Sequence, residues 1–360
     1  MIIGVPKEIK KEEYRVAVTP GGCAELVASG HVLLIEQGAG VGSGFSDDDY
    51  RESGAELVDR EALFRQAELI VKVKEPLPVE FGLFREGQAL FTYLHLAPNR
   101  ELTEFLLAKK ITALAYETLE SRGTLPLLAP MSEVAGRMAP LAGAWCLQKI
   151  AGGTGLLPTG AVGVKPAKAV VLGAGVVGCN AARVAAGIGM ETVVLNRGTD
   201  RLQRLDELMA GRVRTLVMTA GSIAGEIRDA DLVVGAVLVP GGRPPLLVPR
   251  EMLKGMKPGA VIVDVSVDQG GCVETTRPTT HDQPIYVVEG IIHYAVANMP
   301  GAYPRTSTLA LTNATLPYVK TLAELGIEPA VEHDPALASA VNIKGGRIVH
   351  PVLAASLGAG

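Results

Sequence analysis

The segment Lys168-Ala-Val-Val-Leu-Gly173-Ala-Gly175-Val-Val-Gly178 places an apolar run before three spaced glycines, and Asn180-Ala-Ala-Arg-Val-Ala-Ala continues it with helix-forming residues. This order of strand, turn and helix start builds a dinucleotide site. Gly173 permits the tight turn, Gly175 lets backbone approach a pyrophosphate, and Gly178 lets the helix pack closely on the strand. The free N–H groups of the first helical turn, where Val177 lies, then face the anion. A second apolar run, Glu191-Thr-Val-Val-Leu195, comes at the spacing of a βαβ unit, which favours dinucleotide binding over a purely structural glycine turn. Asn196, Arg197 and Arg201 come next and join the cofactor group.

Other residues have types suited to acid–base work or to holding a carboxylate. In Leu90-Phe91-Thr92-Tyr93-Leu94-His95 the alternation puts Phe91, Tyr93 and His95 on one face, with His95 near the strand's carboxyl end, where open α/β sheets bind ligands. It is a candidate acid/base; the alternative is a histidine satisfied by backbone at a strand end. In Ile70-Val71-Lys72-Val73-Lys74 the same period puts Lys72 and Lys74 together, with Lys74 at the tip. Lys74 could hold a substrate carboxylate, or both lysines could line a solvated edge. Asp268, in Asp264-Val-Ser-Val-Asp268-Gln-Gly-Gly-Cys272, closes a strand beside a glycine pair, as a catalytic carboxylate or as an Asx-turn residue. Arg15 and Asn298 are weaker candidates on their own segments.

These positions require alternating strands and helices along the whole chain. Ile2–Val5, His31–Glu36, Leu69–Val73, Ala89–Leu94 and Thr112–Tyr116 read as strands, with a helix over Pro20–Ser29. A helix is expected to start at Ser132, which caps it, and to continue through Trp145–Ile150. Further strands are expected at Ala169–Leu172, Thr192–Leu195, Leu216–Met218, Leu232–Ala236, Val261–Val265 and Ile285–Val288. A long helix from Thr308 ends at Gly326, with Pro317 inside it. The fold class is α/β: two doubly wound Rossmann-like domains, a dinucleotide-binding domain (131–303) inserted into a discontinuous substrate domain (1–130 and 304–360), with the site in the cleft between them.

The bulk composition agrees. With 360 residues, 48% apolar and 20% charged, the chain is globular and long enough for two cores. A net charge of −4 gives no basic footprint for nucleic acid or an acidic membrane, so small-molecule chemistry is expected. The amino end becomes charged at once, unlike a signal peptide, and uncharged stretches such as Gly290–Pro304 are too short and too rich in Gly and Pro to span a bilayer. Cys23, Cys146, Cys179 and Cys272 are scattered, with no ligand spacing, so reduced thiols in a cytoplasmic protein without a metal site are expected.

Together these segments resemble alanine dehydrogenase almost from end to end. The matching words are Gly4-Val-Pro-Lys-Glu8, Arg15-Val-Ala-Val-Thr-Pro20, Val71-Lys-Val-Lys-Glu-Pro76, Phe91-Thr-Tyr-Leu-His-Leu96, Leu128-Ala-Pro-Met-Ser-Glu-Val-Ala-Gly-Arg137, Gly235-Ala-Val-Leu-Val-Pro-Gly241, Val267-Asp-Gln-Gly-Gly-Cys272 and Val296-Ala-Asn-Met-Pro300. The resemblance implies reversible oxidative deamination of L-alanine by NAD to pyruvate, ammonia and NADH in a homohexamer. By residue it implies that Arg15 and Lys74 bind the carboxylate, that His95 is the acid/base and Asp268 the second catalytic group, and that Ser132, Val237, Leu238, Asn298 and Met299 line the nicotinamide side.

The chain departs from that family at the end of the second nucleotide strand, where Asn196-Arg197 replaces the usual Asp. An acidic residue there accepts from the ribose hydroxyls and repels a 2′-phosphate, so NAD is expected to remain a good cofactor while NADP is tolerated better than with Asp. The loop Gly152–Gly160 lacks the family's usual Arg, and Gly189-Met190-Glu191 shifts a turn. The alternatives are a soluble nucleotide-binding subunit of a nicotinamide nucleotide transhydrogenase, a saccharopine-type dehydrogenase, or a dinucleotide-binding protein without catalysis.

Overall fold

The computed structural model describes residues 1–237 and 244–356. The chain divides into two compact units, Met1–Met131 with Tyr303–Gly360, and Ser132–Ala302. In chain order the first unit contributes β1 (Ile2–Val5), β2 (Val32–Glu36), β3 (Glu56–Val58), β4 (Leu69–Val71), β5 (Ala89–Thr92) and β6 (Thr112–Ala115). The second contributes β7 (Lys168–Leu172), β8 (Glu191–Asn196), β9 (Arg214–Val217), β10 (Leu232–Gly235), β11 (Val261–Asp264), β12 (Ile285–Val288) and β13 (Ile291–Tyr294). The chain then returns to the first unit through the helix Pro304–Leu325 and adds β14 (Val341–Lys344) and β15 (Arg347–Ile348).

In the first unit the strand order is β15-β14-β6-β5-β4-β1-β2-β3. The ladders from β3 to β6 are all parallel, and among the described residues only β14 is reversed, pairing antiparallel with β6 and β15. Strands covered by helices on both faces must be apolar on both faces, which is why Leu69, Ile70 and Val71 are all fully buried. They feed two separate cores, one holding Val71, Phe91 and Leu114, the other Ile70, Leu90 and Ala113. The order reverses between β1 and β4, and the crevice outside the carboxyl ends at such a reversal is where open α/β sheets bind ligands. The second unit repeats the plan as β12-β13-β11-β10-β7-β8-β9, antiparallel only at β12, with its reversal between β7 and β10. Both are doubly wound, Rossmann-like sheets.

Several elements differ from expectation. The helix expected to begin at a Ser132 cap runs Ala129–Cys146, so Ser132 lies inside it and caps nothing; Pro130, pre-set for helical φ and needing no N–H acceptor, suits that start. It ends at Cys146, and Lys149–Ala151 forms a separate 3-10 turn. β4 and β5 stop at Val71 and Thr92, earlier than their apolar runs suggest. β3, β13, β14 and β15 have no counterpart among the expected strands. In β13 the polar His293 breaks the apolar pattern, yet its ring is buried between Thr275 Oγ1 (2.8 Å) and the Ile291 carbonyl (3.0 Å). Pro317 lies within the helix Pro304–Leu325, which ends at Gly326 with φ +85°.

Lys72 overturns the solvated-edge alternative. It leaves a central strand and is fully buried, its ammonium 3.1 Å from both Glu8 and Glu80. Glu8 also accepts from the Val73 N–H at 2.7 Å, so this cluster ties the chain after β1 to the chain after β4. Burial raises the Glu8 pKa, and Lys72 only partly offsets it. Burial alone would lower the pKa of Lys72, but the two carboxylates outweigh it and the net shift is upward.

The phosphate turn is equally constrained. Gly173 has φ +113°, and a Cβ there would meet the Ala236 carbonyl oxygen at 2.5 Å. A Cβ on Gly178 would lie 1.8 Å from the Gly173 carbonyl oxygen, so the helix Val176–Gly187 can approach its strand only through glycine.

Two outcomes are expected from these packings. Gly178→Ala should lower stability by about 1–3 kcal/mol or more through overpacking and weaken dinucleotide binding, whereas Gly187→Ala, with open space around it, should be neutral or stabilising by up to about 1 kcal/mol. Urea denaturation and cofactor titration would measure both. Lys72→Met should cost about 3–5 kcal/mol by leaving Glu8 without its cation and Glu80 with only Arg60, 3.7 Å away. Because the folded Glu8 pKa is raised, protonated Glu8 favours the fold: the deficit should shrink as pH falls through that value and grow as pH rises. An equal deficit at pH 5 and pH 8 would contradict the buried cluster.

Candidate active site

In the first unit, chain leaving β1, β4, β5 and β6 carries the candidate residues and the groups that hold them. Arg15 is 2% exposed and engages Glu13 through two bonds, Nε to Oε1 at 2.6 Å and Nη2 to Oε2 at 2.5 Å. Its Nη1 lies 2.9 Å from Met131 Sδ. Burial opposes both charges, but the hydrogen bonds and mutual attraction win: the Glu13 pKa falls and that of Arg15 rises. Lys74 is half-buried. Among the described residues its ammonium makes no hydrogen bond or ion pair, although Glu75 beside it is bonded to Lys10. Burial, assisted by the charge of Arg15, lowers the pKa of Lys74.

His95 lies three residues beyond β5, exposed, with φ +47°. That left-handed backbone is uncommon for a non-glycine residue. It is held by the Glu117 carboxylate at the end of β6, which accepts from the His95 N–H at 2.6 Å and the Leu94 N–H at 3.1 Å. The imidazole stacks on Tyr93, centroids 6.0 Å apart and planes 8° apart. Tyr93 is itself pinned by donating to the Leu127 carbonyl at 2.5 Å, and burial raises its pKa. The unit thus presents two cations, one already neutralised, and an oriented exposed imidazole.

In the second unit the helix Val176–Gly187 begins at Gly175 without a side-chain cap, with Val177 in its first turn. The space beside Gly175 is open; the nearest atom to a Cβ there would be Arg201 Nη1 at 3.6 Å. An open turn with uncapped helical N–H groups fits a pyrophosphate. Asn196 ends β8; its Oδ1 accepts from the Ala174 N–H at 3.1 Å and its Nδ2 donates to the Gly198 carbonyl at 2.9 Å. Arg197 and Arg201 are exposed.

After β10, the Val237 N–H donates to Ser266 Oγ at 3.2 Å, and the Ser266 hydroxyl donates to the Val237 carbonyl at 2.8 Å. Leu238 lies outside the described residues. After β11, Asp268 is exposed in the 3-10 turn Val265–Gln269, and its Oδ2 accepts from the Asn298 N–H at 3.3 Å. Asn298 has φ +58° and Met299 is buried. Asp264 anchors that turn, accepting from Ser266 (3.0 Å), Cys272 (2.9 Å) and Val273 (3.3 Å). Its pKa is raised by burial despite those N–H groups.

Glu13, Glu117, Asp264 and Ser266 are not among the residues that the sequence pattern singles out, yet each holds a candidate residue or its loop. Glu117 and Asp264 stand at strand carboxyl ends, where the rule that singles out His95 also points. Ser132 lies half-buried within its helix, one residue beyond the Met131 that contacts Arg15. Cys23, Cys146, Cys179 and Cys272 form no disulfide. No grouping of metal-binding side chains, and no helix long and apolar enough to cross a membrane, occurs among the described residues.

Comparison with known proteins bears out the fold and shows the family. A Halomonas elongata protein named alanine dehydrogenase is 52% identical over 360 residues, spanning 99% of this chain and 97% of its own. A solved structure titled L-alanine dehydrogenase superposes with a TM-score of 0.97 at 49% identity, covering 99% of each chain. A transhydrogenase from Sinorhizobium meliloti superposes at 0.84 with 27% identity, covering 98% of this chain and 99% of its own. Residues 4–135 match the family description Alanine dehydrogenase/PNT, N-terminal domain, and residues 139–351 match Alanine dehydrogenase/PNT, C-terminal domain; the chain therefore belongs to the alanine dehydrogenase/PNT family.

Proposed function

We propose that the protein is an amino-acid oxidoreductase that interconverts L-alanine with pyruvate and ammonia, using NAD. The observation that carries this reading is the half-buried ammonium of Lys74, with no hydrogen bond or ion pair among the described residues, beside the neutralised Arg15 and beyond the same end of the sheet as the exposed His95. A small 2-oxo acid needs a fixed cation for its carboxylate and a proton donor for its oxygen. Bound NAD supplies the hydride acceptor. Lys74 and Arg15 orient the carboxylate; His95 gives or takes the proton at the carbonyl oxygen; Asp268 manages protons on the amine and on the water that exchanges with it. Ser132, Val237, Leu238, Asn298 and Met299 belong to the nicotinamide side in this reading, and Gly173, Gly175, Val177, Gly178, Asn196, Arg197 and Arg201 to the rest of the dinucleotide. A homohexamer in the cytoplasm completes the proposal, and sedimentation of the purified protein tests the assembly.

The direct assay is L-alanine with NAD, following reduced-cofactor absorbance. Cofactor binding without alanine oxidation would favour the transhydrogenase-like alternative. His95→Ala and Asp268→Ala should each lower turnover by about 10²–10⁴ while NADH still binds. Turnover within about threefold of wild type for His95→Ala falls far below that range and sinks the assignment.

Lys74 adds a pH signature. Its pKa is lowered, and only the charged form attracts a carboxylate, so pyruvate saturation should weaken as pH rises through that lowered value, before an ordinary lysine titrates at about 10.4. Lys74→Ala should weaken saturation and flatten this dependence; Lys74→Arg should rescue only partly, because a planar fork does not replace a compact ammonium. Pyruvate saturation unaffected by Lys74→Ala would place the lysine outside the site.

A further inference from the structure

In a dinucleotide fold the residue about 20 positions beyond the glycine turn reads the adenosine ribose, and a carboxylate there both accepts from the 2′-hydroxyl and repels a 2′-phosphate. Here that position, the carboxyl end of β8, is Asn196. Its amide is committed in both directions, to the Ala174 N–H and the Gly198 carbonyl, so it shapes the phosphate turn as a neutral group. Two guanidiniums flank it. Arg197 is the next residue and is exposed, and Arg201 brings Nη1 to 3.6 Å from the Cβ position of Gly175, over the phosphate turn. Neither guanidinium makes a hydrogen bond or ion pair among the described residues. The charges nearby are Asp200 and Arg204, which share the helix Thr199–Met209 with Arg201, so cations outnumber the carboxylate. The Asn196 carbonyl accepts from the Met218 N–H after β9, where the neutral Thr219 and Ser222 form a helix cap.

We infer that the adenosine end of this site takes a 2′-phosphate, held by Arg197 and Arg201, so that the protein binds the 2′-phosphorylated dinucleotide NADPH as well as NADH. The inference rests on the dinucleotide reading of the second unit and assigns its ribose subsite. An unpaired arginine presents a donor fork matched to phosphate oxygens. The neutral Asn196 removes the repulsion that would otherwise exclude that group.

The test is titration of the purified protein with NADH and with NADPH, read by cofactor fluorescence, for wild type and for Asn196→Asp, Arg197→Ala and Arg201→Ala. Wild type should bind NADPH within about tenfold of NADH, a difference of about 1.4 kcal/mol or less. Asn196→Asp and Arg197→Ala should each shift the NADPH-to-NADH affinity ratio against NADPH by about tenfold, with Arg201→Ala shifting it in the same direction. Added salt should weaken NADPH more steeply than NADH, since the extra contact is between exposed charges. Arg197→Lys, which keeps the charge at an exposed position, should fall between wild type and Arg197→Ala, so the test survives if Asn196→Asp fails to fold. A folded wild type that binds NADH but binds NADPH more than about 100-fold more weakly overturns the inference, as do arginine variants that leave the ratio unmoved. A folded wild type that binds neither cofactor overturns the dinucleotide reading instead.

Discussion

A buried ammonium fixes the geometry of the first unit. Lys72 stands at zero exposure between Glu8 and Glu80, and Glu8 reaches on to the backbone N–H of Val73. Three charged groups in a low-dielectric interior are tolerable only when both carboxylates find the ammonium at hydrogen-bonding distance. The chain after β1, the chain after β4 and the turn Pro78–Leu83 therefore keep one relative arrangement. Arg15 and Lys74 lie on those same segments, one approached through Glu13 and the other two residues beyond Lys72. Buried pairing in this place is an expensive way to gain stability and an effective way to hold a site.

Three cations at the ends of β1 and β4 have three different fates, set by their carboxylates. Lys72 is shared by two, Arg15 is gripped by Glu13, and Lys74 has none at hydrogen-bonding distance among the described residues. The first acts as structure. The second carries local neutrality and a fixed planar fork. The third leaves an ammonium without an ion pair in a half-buried setting, where burial and the nearby charge of Arg15 lower its pKa. A carboxylate ligand relieves that imbalance.

Much of this is legible in the sequence because the signals are local. The glycine spacing, the apolar strands and the placement of Lys74, His95 and Asp268 near strand carboxyl ends all come from period and punctuation. The Lys72 cluster is not legible, since Glu8 lies 64 residues from Lys72, and a lysine within an apolar run reads as a surface residue. Glu117 escapes for a similar reason: its grip on the His95 backbone spans 22 residues and depends on β5 and β6 being neighbours. A serine before an apolar run is a common cap signal, but Ser132 does not serve as one because Pro130 lies earlier and the helix begins at Ala129. β13 escapes because His293 interrupts its pattern, and the burial of that ring is satisfied only by Thr275 and a local carbonyl.

The two units share a topology and differ in the residues just beyond their first strands. In both, the order reverses between the first and fourth strands of the unit's series, which makes the same crevice twice. After β7 the chain reads Gly173-Ala-Gly175, whose open space and uncapped N–H groups suit a phosphate. After β1 it reads Pro6-Lys7-Glu8. Proline offers no N–H, and the carboxylate of Glu8 takes up the N–H groups of Val73 and Lys74 after the neighbouring strand, so these segments leave less backbone than the glycine turn to cradle an anion, and side chains are the alternative. In the proposed reading Lys74 and Arg15 supply that anion contact. On the proposed function, the division of labour between a backbone site for a dinucleotide and a side-chain site for a small acid is set by a few residues at the end of one strand in each unit.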